Sequence, residues 1–306
     1  MKGWLAVVPL SILFSVSTKA LDVEFGFPTD CGVPAIPRVY NEAAETQKTL
    51  ATPKSYPWHV GLWSYRTGDY PFCGGTLISQ SLVITAAHCI GIHYGCDEFP
   101  VGELFTVAPV SGHLLQVQVG AYDYTKFESN MYFHTVASAI VHPQYKEHDT
   151  GAGYDIAILK LDMDVTQDAG VQPICFPSAK NLPLRTGSGC YFSGWGLYYT
   201  TASITKKLHA RKLREAQVEM DFDENCNEMF SNYNPDRQSC IRTEGRSPCQ
   251  GDSGGGIFCP SNDGITWFWN GVIESSNEDC RGSHTIISNI KTMHPWIKAT
   301  AFNLGL

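Results

Sequence analysis

The stretch Cys249-Gln250-Gly251-Asp252-Ser253-Gly254-Gly255-Gly256 sets one serine between an acid and three glycines. A nucleophilic serine needs an exposed Oγ and backbone N–H groups aimed at the oxyanion that develops on attack. Glycine permits the tight loop this requires and lets a substrate come close to the backbone. A Gly-rich turn or linker is the plainer reading of the same residues. A phosphate-cradling loop is disfavoured, because no Lys-Ser/Thr pair follows the glycines.

Two upstream segments supply what such a serine lacks. Thr85-Ala86-Ala87-His88-Cys89 follows a β-like run, so His88 sits at a strand end, pinned by a neighbouring cysteine and suited to general-base work. Taken alone, any one of the ten histidines is more often structural or solvated. Asp155-Ile156-Ala157-Ile158-Leu159 is an acid leading into an apolar strand. Buried, that carboxylate would orient an imidazole and stabilise its protonated form. Alone, it reads equally well as a strand-starting turn residue.

Short β-like runs recur between turn residues along the chain: 59–64, 81–85, 114–120, 136–141, 156–161, 190–195, 216–220, 257–259, 267–273 and 285–290. Helices are expected only at 223–230, opened by an acidic cap, and at 295–302. Many short strands with frequent turns predict an all-β barrel or sandwich. The 306 residues accommodate two fused β-barrels of about 100–130 residues each. Abundant Gly, Pro and aromatics with only 17% charged residues describe a packed globular chain. A net charge of −8 argues against a general nucleic-acid or anionic-membrane binder, which needs a basic footprint.

Lys2, the mostly apolar run 4–16 and the small Ala20 read as a secretory signal peptide over 1–20, with an N-terminal anchor or buried strand as the other reading. No later segment holds eighteen consecutive apolar residues, so no membrane span is expected in the mature chain. Eleven cysteines behind a signal imply an oxidising, extracellular compartment and a disulfide framework. An odd total leaves at least one cysteine without an intrachain partner. Their spacings lack the paired C-x-x-C pattern of a structural zinc site, and neither a metal nor a cofactor is expected.

With His88 in TAAHC, Asp155 in DIAIL and Ser253 in GDSGG, in that order, the chain resembles the chymotrypsin-like serine proteases. Supporting matches cover nearly the whole mature chain. They include Cys31-Gly32-Val33-Pro34, Pro57-Trp58, Cys73-Gly74-Gly75-Thr76-Leu77-Ile78, Gly194-Trp195-Gly196 and Pro295-Trp296-Ile297. The resemblance implies an all-β fold of two six-stranded antiparallel β-barrels with a C-terminal helix, the site lying between the barrels. It implies Ser253 as nucleophile, His88 as general base and Asp155 as its orienting acid, with the N–H groups of Gly251 and Ser253 as oxyanion hole. It also implies disulfides Cys73–Cys89, Cys190–Cys259, Cys226–Cys240, Cys249–Cys280 and the tether Cys31–Cys175, leaving Cys96 over. Cys96 lies in an apparent insertion at 90–113. Protein or peptide substrates, serine protease inhibitors and an activating protease are the partners it implies.

Several positions depart from the family pattern. No Ile-Val-Gly-Gly string marks a mature N-terminus. The nearest candidate is Arg38-Val39, which divides the chain into a propeptide at 21–38 and a protease domain at 39–306. Cleavage there would free an α-ammonium on Val39 to pair with Asp252. Six residues before the nucleophile stands Ser247, where trypsin-like members carry an aspartate, so Arg and Lys should be poor residues before the cut. The substrate-binding edge reads Glu274-Ser275-Ser276, and Thr285 takes the place of a pocket-wall glycine. Glu274 would bring a second carboxylate near Asp155 or turn outward to solvent or substrate. The basic run 206–214 reads as a solvated surface loop, with an anion-binding patch as the sharper alternative. A secreted homologue that binds a partner without efficient catalysis is the alternative function. A disulfide-rich structural protein leaves the three motifs unexplained.

Overall fold

A computed structural model describes residues 22–95, 98–110, 112–147, 149, 152–182, 184, 189–200, 203–275 and 280–306. The expected signal peptide, Cys96 and Ser276 lie outside the described residues. The first half of the chain forms β1 (Thr49–Leu50), β2 (His59–Trp63), β3 (Cys73–Leu77), β4 (Leu82–Thr85), helix α1 (Ala87–Tyr94), β5 (Leu104–Thr106), β6 (Gln116–Val119), β7 (Tyr132–Val141) and β8 (Ala157–Leu161). The second half forms β9 (Gly189–Gly194), β10 (Tyr198–Thr200), β11 (Ser203–Leu208), β12 (Arg214–Met220), helix α2 (Asp223–Met229), β13 (Gln238–Arg242), β14 (Gly256–Pro260), β15 (Trp267–Ser275), β16 (His284–Ser288) and helix α3 (Ile290–Asn303).

Strands β7-β6-β2-β3-β4-β8 close on themselves where β7 meets β8, and β12-β13-β16-β15-β14-β9 close where β9 meets β12. The chain is therefore two closed six-stranded antiparallel barrels plus a C-terminal helix. Closure satisfies the edge strands that an open sheet would leave unpaired. The register follows burial. In β7, His134 and Val136 face inward, but Ala139 and Val141 are the buried residues further on. A bulge between Val136 and Ser138 in the pairing with β8 produces that change of phase. β5, within the insertion at 90–113, adds to the outside of this barrel by pairing Leu104 with Ile140.

Aromatic side chains weld the barrels together. Trp58 at the entry to β2 meets Phe258 of β14 edge-on at 5.7 Å, and Phe176 of the connecting segment stacks near Trp269 at 5.9 Å. All four are fully buried, and such burial contributes about 1.5–3 kcal/mol for each large apolar side chain. The segment before Arg38 belongs to the same body. Phe27 stacks on Phe176 at 4.3 Å, Cys31 is bonded to Cys175, and Gly32 donates its N–H to the Pro173 carbonyl and accepts from the Trp267 N–H. Among the described residues no helix is long and apolar enough to cross a membrane.

α3 begins at Ile290, five residues before the expected start at Pro295. Asn289 caps it by accepting from the N–H groups of Lys291 and Thr292, and the helix runs on through Pro295, which lacks the N–H for one interior bond. α1 was not legible as a helix in the sequence, which offered only a histidine at a strand end.

Candidate active site

Ala86, at the head of α1, has no side chain able to cap the helix. Asp155 does this from a distant part of the chain. Its Oδ1 accepts the His88 N–H at 2.8 Å, and its Oδ2 accepts from His88 Nδ1 at 2.6 Å. One carboxylate thus satisfies an orphan donor of the helix and fixes the imidazole. With the proton on Nδ1, the Nε2 lone pair is left free to act as a base. Burial pulls the His88 pKa down, but the charge and hydrogen bond of Asp155 more than offset it, and the net shift is upward.

Tyr154 aims Asp155. Its φ of 60° puts a bulky residue in the left-handed region, at a cost of about 1–3 kcal/mol. Stacking on His142 at 4.5 Å and the Arg237 guanidinium 5.6 Å from its ring centre hold it there.

The Ser253 loop is fastened to the same corner. Gly74 donates its N–H to the Ser253 carbonyl at 2.8 Å and accepts from Thr85 Oγ1 at 2.8 Å. The neighbouring Cys73 is bonded to Cys89, beside His88. Gly254 has φ +77°, and a Cβ there would stand 2.6 Å from the Gly74 carbonyl oxygen, so only glycine fits. Among the described residues, no hydrogen bond joins Ser253 Oγ to the ring, and the N–H groups of Gly251 and Ser253 donate to no protein acceptor. The two N–H groups are therefore open to an oxyanion, and nucleophile–base bonds commonly tighten only when substrate arrives.

Ser247 and Thr285, two of the expected pocket residues, join Thr243 in a buried hydroxyl cluster. Ser247 Oγ lies 3.3 Å from Thr285 Oγ1, which lies 3.4 Å from Thr243 Oγ1, and all three residues are buried. Thr243 gave no sequence signal, because only the β13–β16 pairing brings it to Thr285. Glu274 points inward. Its Oε2 accepts from Gln238 Nε2 at 3.1 Å, while its Oε1 is buried without a hydrogen-bond partner among the described residues. Burial, with the Asp155 charge second, pushes its pKa well above the usual carboxylate value. Glu274 and Ser275 line a cavity of about 500 Å³ together with His88, Asp155 and Tyr145.

The structure does not bring Arg38 and Val39 to Asp252 in the intact chain. Arg38 pairs with Glu215 at 2.9 Å and covers the Tyr191 ring at 3.9 Å. The exposed Val39 donates its N–H to Thr52 Oγ1 at 3.0 Å. Asp252 is bound by the ammonium of Lys48 instead. Sequence reasoning missed Lys48, a lysine in a polar run whose reach depends on β1 pairing with β12.

Comparison with known proteins agrees with this architecture. The family model for trypsin matches residues 46–297. The human chymotrypsin-like elastase family member 3B is 30% identical over 82% of this chain and 86% of its own length. Human cathepsin G is 27% identical over 81% of this chain and 84% of its length. An ovochymase of Halocynthia roretzi is 27% identical over 89% of this chain, which spans only 16% of that longer protein. By family model, relatives and double-barrel fold, the chain belongs to the chymotrypsin-like serine proteases.

Proposed function

We propose that the protein is a secreted serine endopeptidase acting through His88, Asp155 and Ser253. The observation that carries this reading is the pair of hydrogen bonds that the Asp155 carboxylate accepts from His88, beside a serine loop fastened to the same barrel. Ser253 Oγ attacks the scissile carbonyl as His88 Nε2 takes its proton, and the N–H groups of Gly251 and Ser253 receive the oxyanion. His88 then delivers the proton to the leaving amine, and water hydrolyses the acyl-enzyme by the same route in reverse. The Asp155 anion stabilises the imidazolium formed between these steps.

The hydroxyl-lined floor of Ser247, Thr243 and Thr285 favours uncharged side chains before the cut, because a buried cation would find no counter-charge there. Five disulfides fit export to an oxidising compartment. The intact chain already gives Asp252 a cation, the Lys48 ammonium, without cleavage behind Arg38. One observation favours the weakly catalytic homologue as a second reading: the buried Glu274 beside Asp155. Cleavage of a peptide library separates the two. The protease reading expects cuts after uncharged residues that vanish in Ser253→Ala; cuts that persist in Ser253→Ala, or none in wild type, contradict it.

A further inference from the structure

Lys48 is a buried lysine that neither substrate binding nor proton transfer uses. Its side chain is 4% exposed, with its ammonium between the Asp252 carboxylate and the Gly196 carbonyl oxygen, 3.2 Å away. Asp252 is wholly buried and immediately precedes Ser253. Its Oδ1 accepts the Gly196 N–H at 2.9 Å, and its Oδ2 accepts the Cys249 N–H at 2.9 Å as well as the lysine. A Cβ on Gly196 would stand 2.7 Å from the Asp252 nitrogen, so the loop carrying Gly196 is pressed against the nucleophile loop.

The lysine is itself held in place. Thr49 and Leu50 pair with Glu215 and Arg214, and Arg214 Nη1 donates to the Lys48 carbonyl at 2.9 Å while its guanidinium stacks 3.4 Å from the Tyr198 ring centre. The nearby His59 adds no competing charge. Burial first, and the Lys48 charge second, depress its pKa to about 3, so it is neutral at physiological pH.

We propose that Lys48 is a built-in activating cation: its ammonium fixes Asp252, and through it the Gly251–Ser253 N–H groups, in the catalytic arrangement within the uncleaved chain. Lys48 is thus a positioning residue, and the inference rests on the protease reading of His88, Asp155 and Ser253. A newly freed α-ammonium on Val39 would have to displace a buried lysine or share one carboxylate with it, in a site closed to water. The bond behind Arg38 is guarded as well. The guanidinium is tied to Glu215, whose other oxygen accepts from Tyr56 at 2.8 Å, so an activating protease would have to pull it from a buried network.

The test uses the full chain, shown by intact mass to be uncut behind Arg38, as wild type, Lys48→Ala and the neutral pair Lys48→Met/Asp252→Asn. Tryptophan fluorescence checks folding, and kcat, KM and the rate of fluorophosphonate modification are read. Uncut wild type should be active. Lys48→Ala should lose about 100- to 1000-fold, mostly in kcat, the scale of a lost oxyanion donor. Propylammonium, which replaces the deleted ammonium and most of its stem, should restore at least tenfold in Lys48→Ala, whereas propanol should not. The neutral pair, which leaves no unpaired buried charge, should fold, remain deficient and ignore propylammonium. Wild-type kcat in Lys48→Ala or in the neutral pair overturns the proposal. So does a wild type that reacts only after cleavage exposes Val39, which leaves the protease reading standing. If wild type reacts neither cut nor uncut, the protease reading fails and takes this inference with it.

Discussion

Replacing Glu274 by Gln removes an ionisable group and almost nothing else. Glu274 is the extra residue of a β15 bulge, between Ile273 opposite Ile287 and Ser275 opposite Ile286, and this turns it into the interior. Burial and the Asp155 charge raise its pKa well above 4.5, so the folded chain holds a proton that the unfolded chain has released. A raised folded-state pKa gives stability that is full below the unfolded pKa and lost as pH rises towards the folded one. The loss runs at about 1.4 kcal/mol per pH unit. Gln keeps the volume, can still accept from Gln238 and never ionises. Glu274→Gln should therefore gain on its parent as pH rises from 5 towards 7, at no more than that slope. Urea unfolding followed by tryptophan fluorescence, in a Ser253→Ala background that prevents self-digestion, reads the difference at both pH values. An offset equal at pH 5 and pH 7 would refute the reasoning. In the active protein a neutral Glu274 leaves the acidic limb of kcat/KM unmoved by the same substitution, and a limb lowered by a full pH unit would mean that Glu274 is ionised beside Asp155.

Other expectations follow from the same geometry. The upward shift of His88 places the acidic limb of wild-type kcat/KM above the usual histidine value of 6.5, with activity rising as His88 loses its proton. Asp155→Asn, which spoils the tautomer, should lower kcat by about 10⁴ at little change in KM; a tenfold loss or less contradicts the role given to that carboxylate. Ser247→Asp puts an anion on the neutral floor and should move peptide-library cleavage towards Arg and Lys, an outcome that fails if Thr285 closes the pocket to long side chains. The five disulfides use ten cysteines, so alkylation without reduction followed by mass spectrometry should find Cys96 outside those pairs. Finding Cys96 bridged to one of the ten would contradict that pairing.

Much of the fold was legible because each barrel strand is short, apolar and bounded by turn residues, as Leu82–Thr85 and Ala157–Leu161 are. β3 escaped notice, since its Gly74-Gly75 pair weakens strand propensity, and the structure uses that pair for close approach to Gly255 and Val83. The bulges at 136–138 and 273–275 leave no local mark, because they are set by the partner strand. At the site, His88 and Asp155 stood out through their local motifs, and the structure puts them in contact. Thr243 and Lys48 did not. Each is an ordinary polar residue until a long-range strand pairing carries it to Thr285 or to Asp252.

The most direct measurement is active-site labelling of the purified, folded chain with a fluorophosphonate, followed by peptide mass spectrometry. The phosphonyl group should be found on Ser253 at close to one per chain, be absent from Ser253→Ala and form far more slowly in His88→Ala. A folded chain that takes up no label, or carries it on a residue other than Ser253, would contradict the assignment of His88, Asp155 and Ser253 as one catalytic unit.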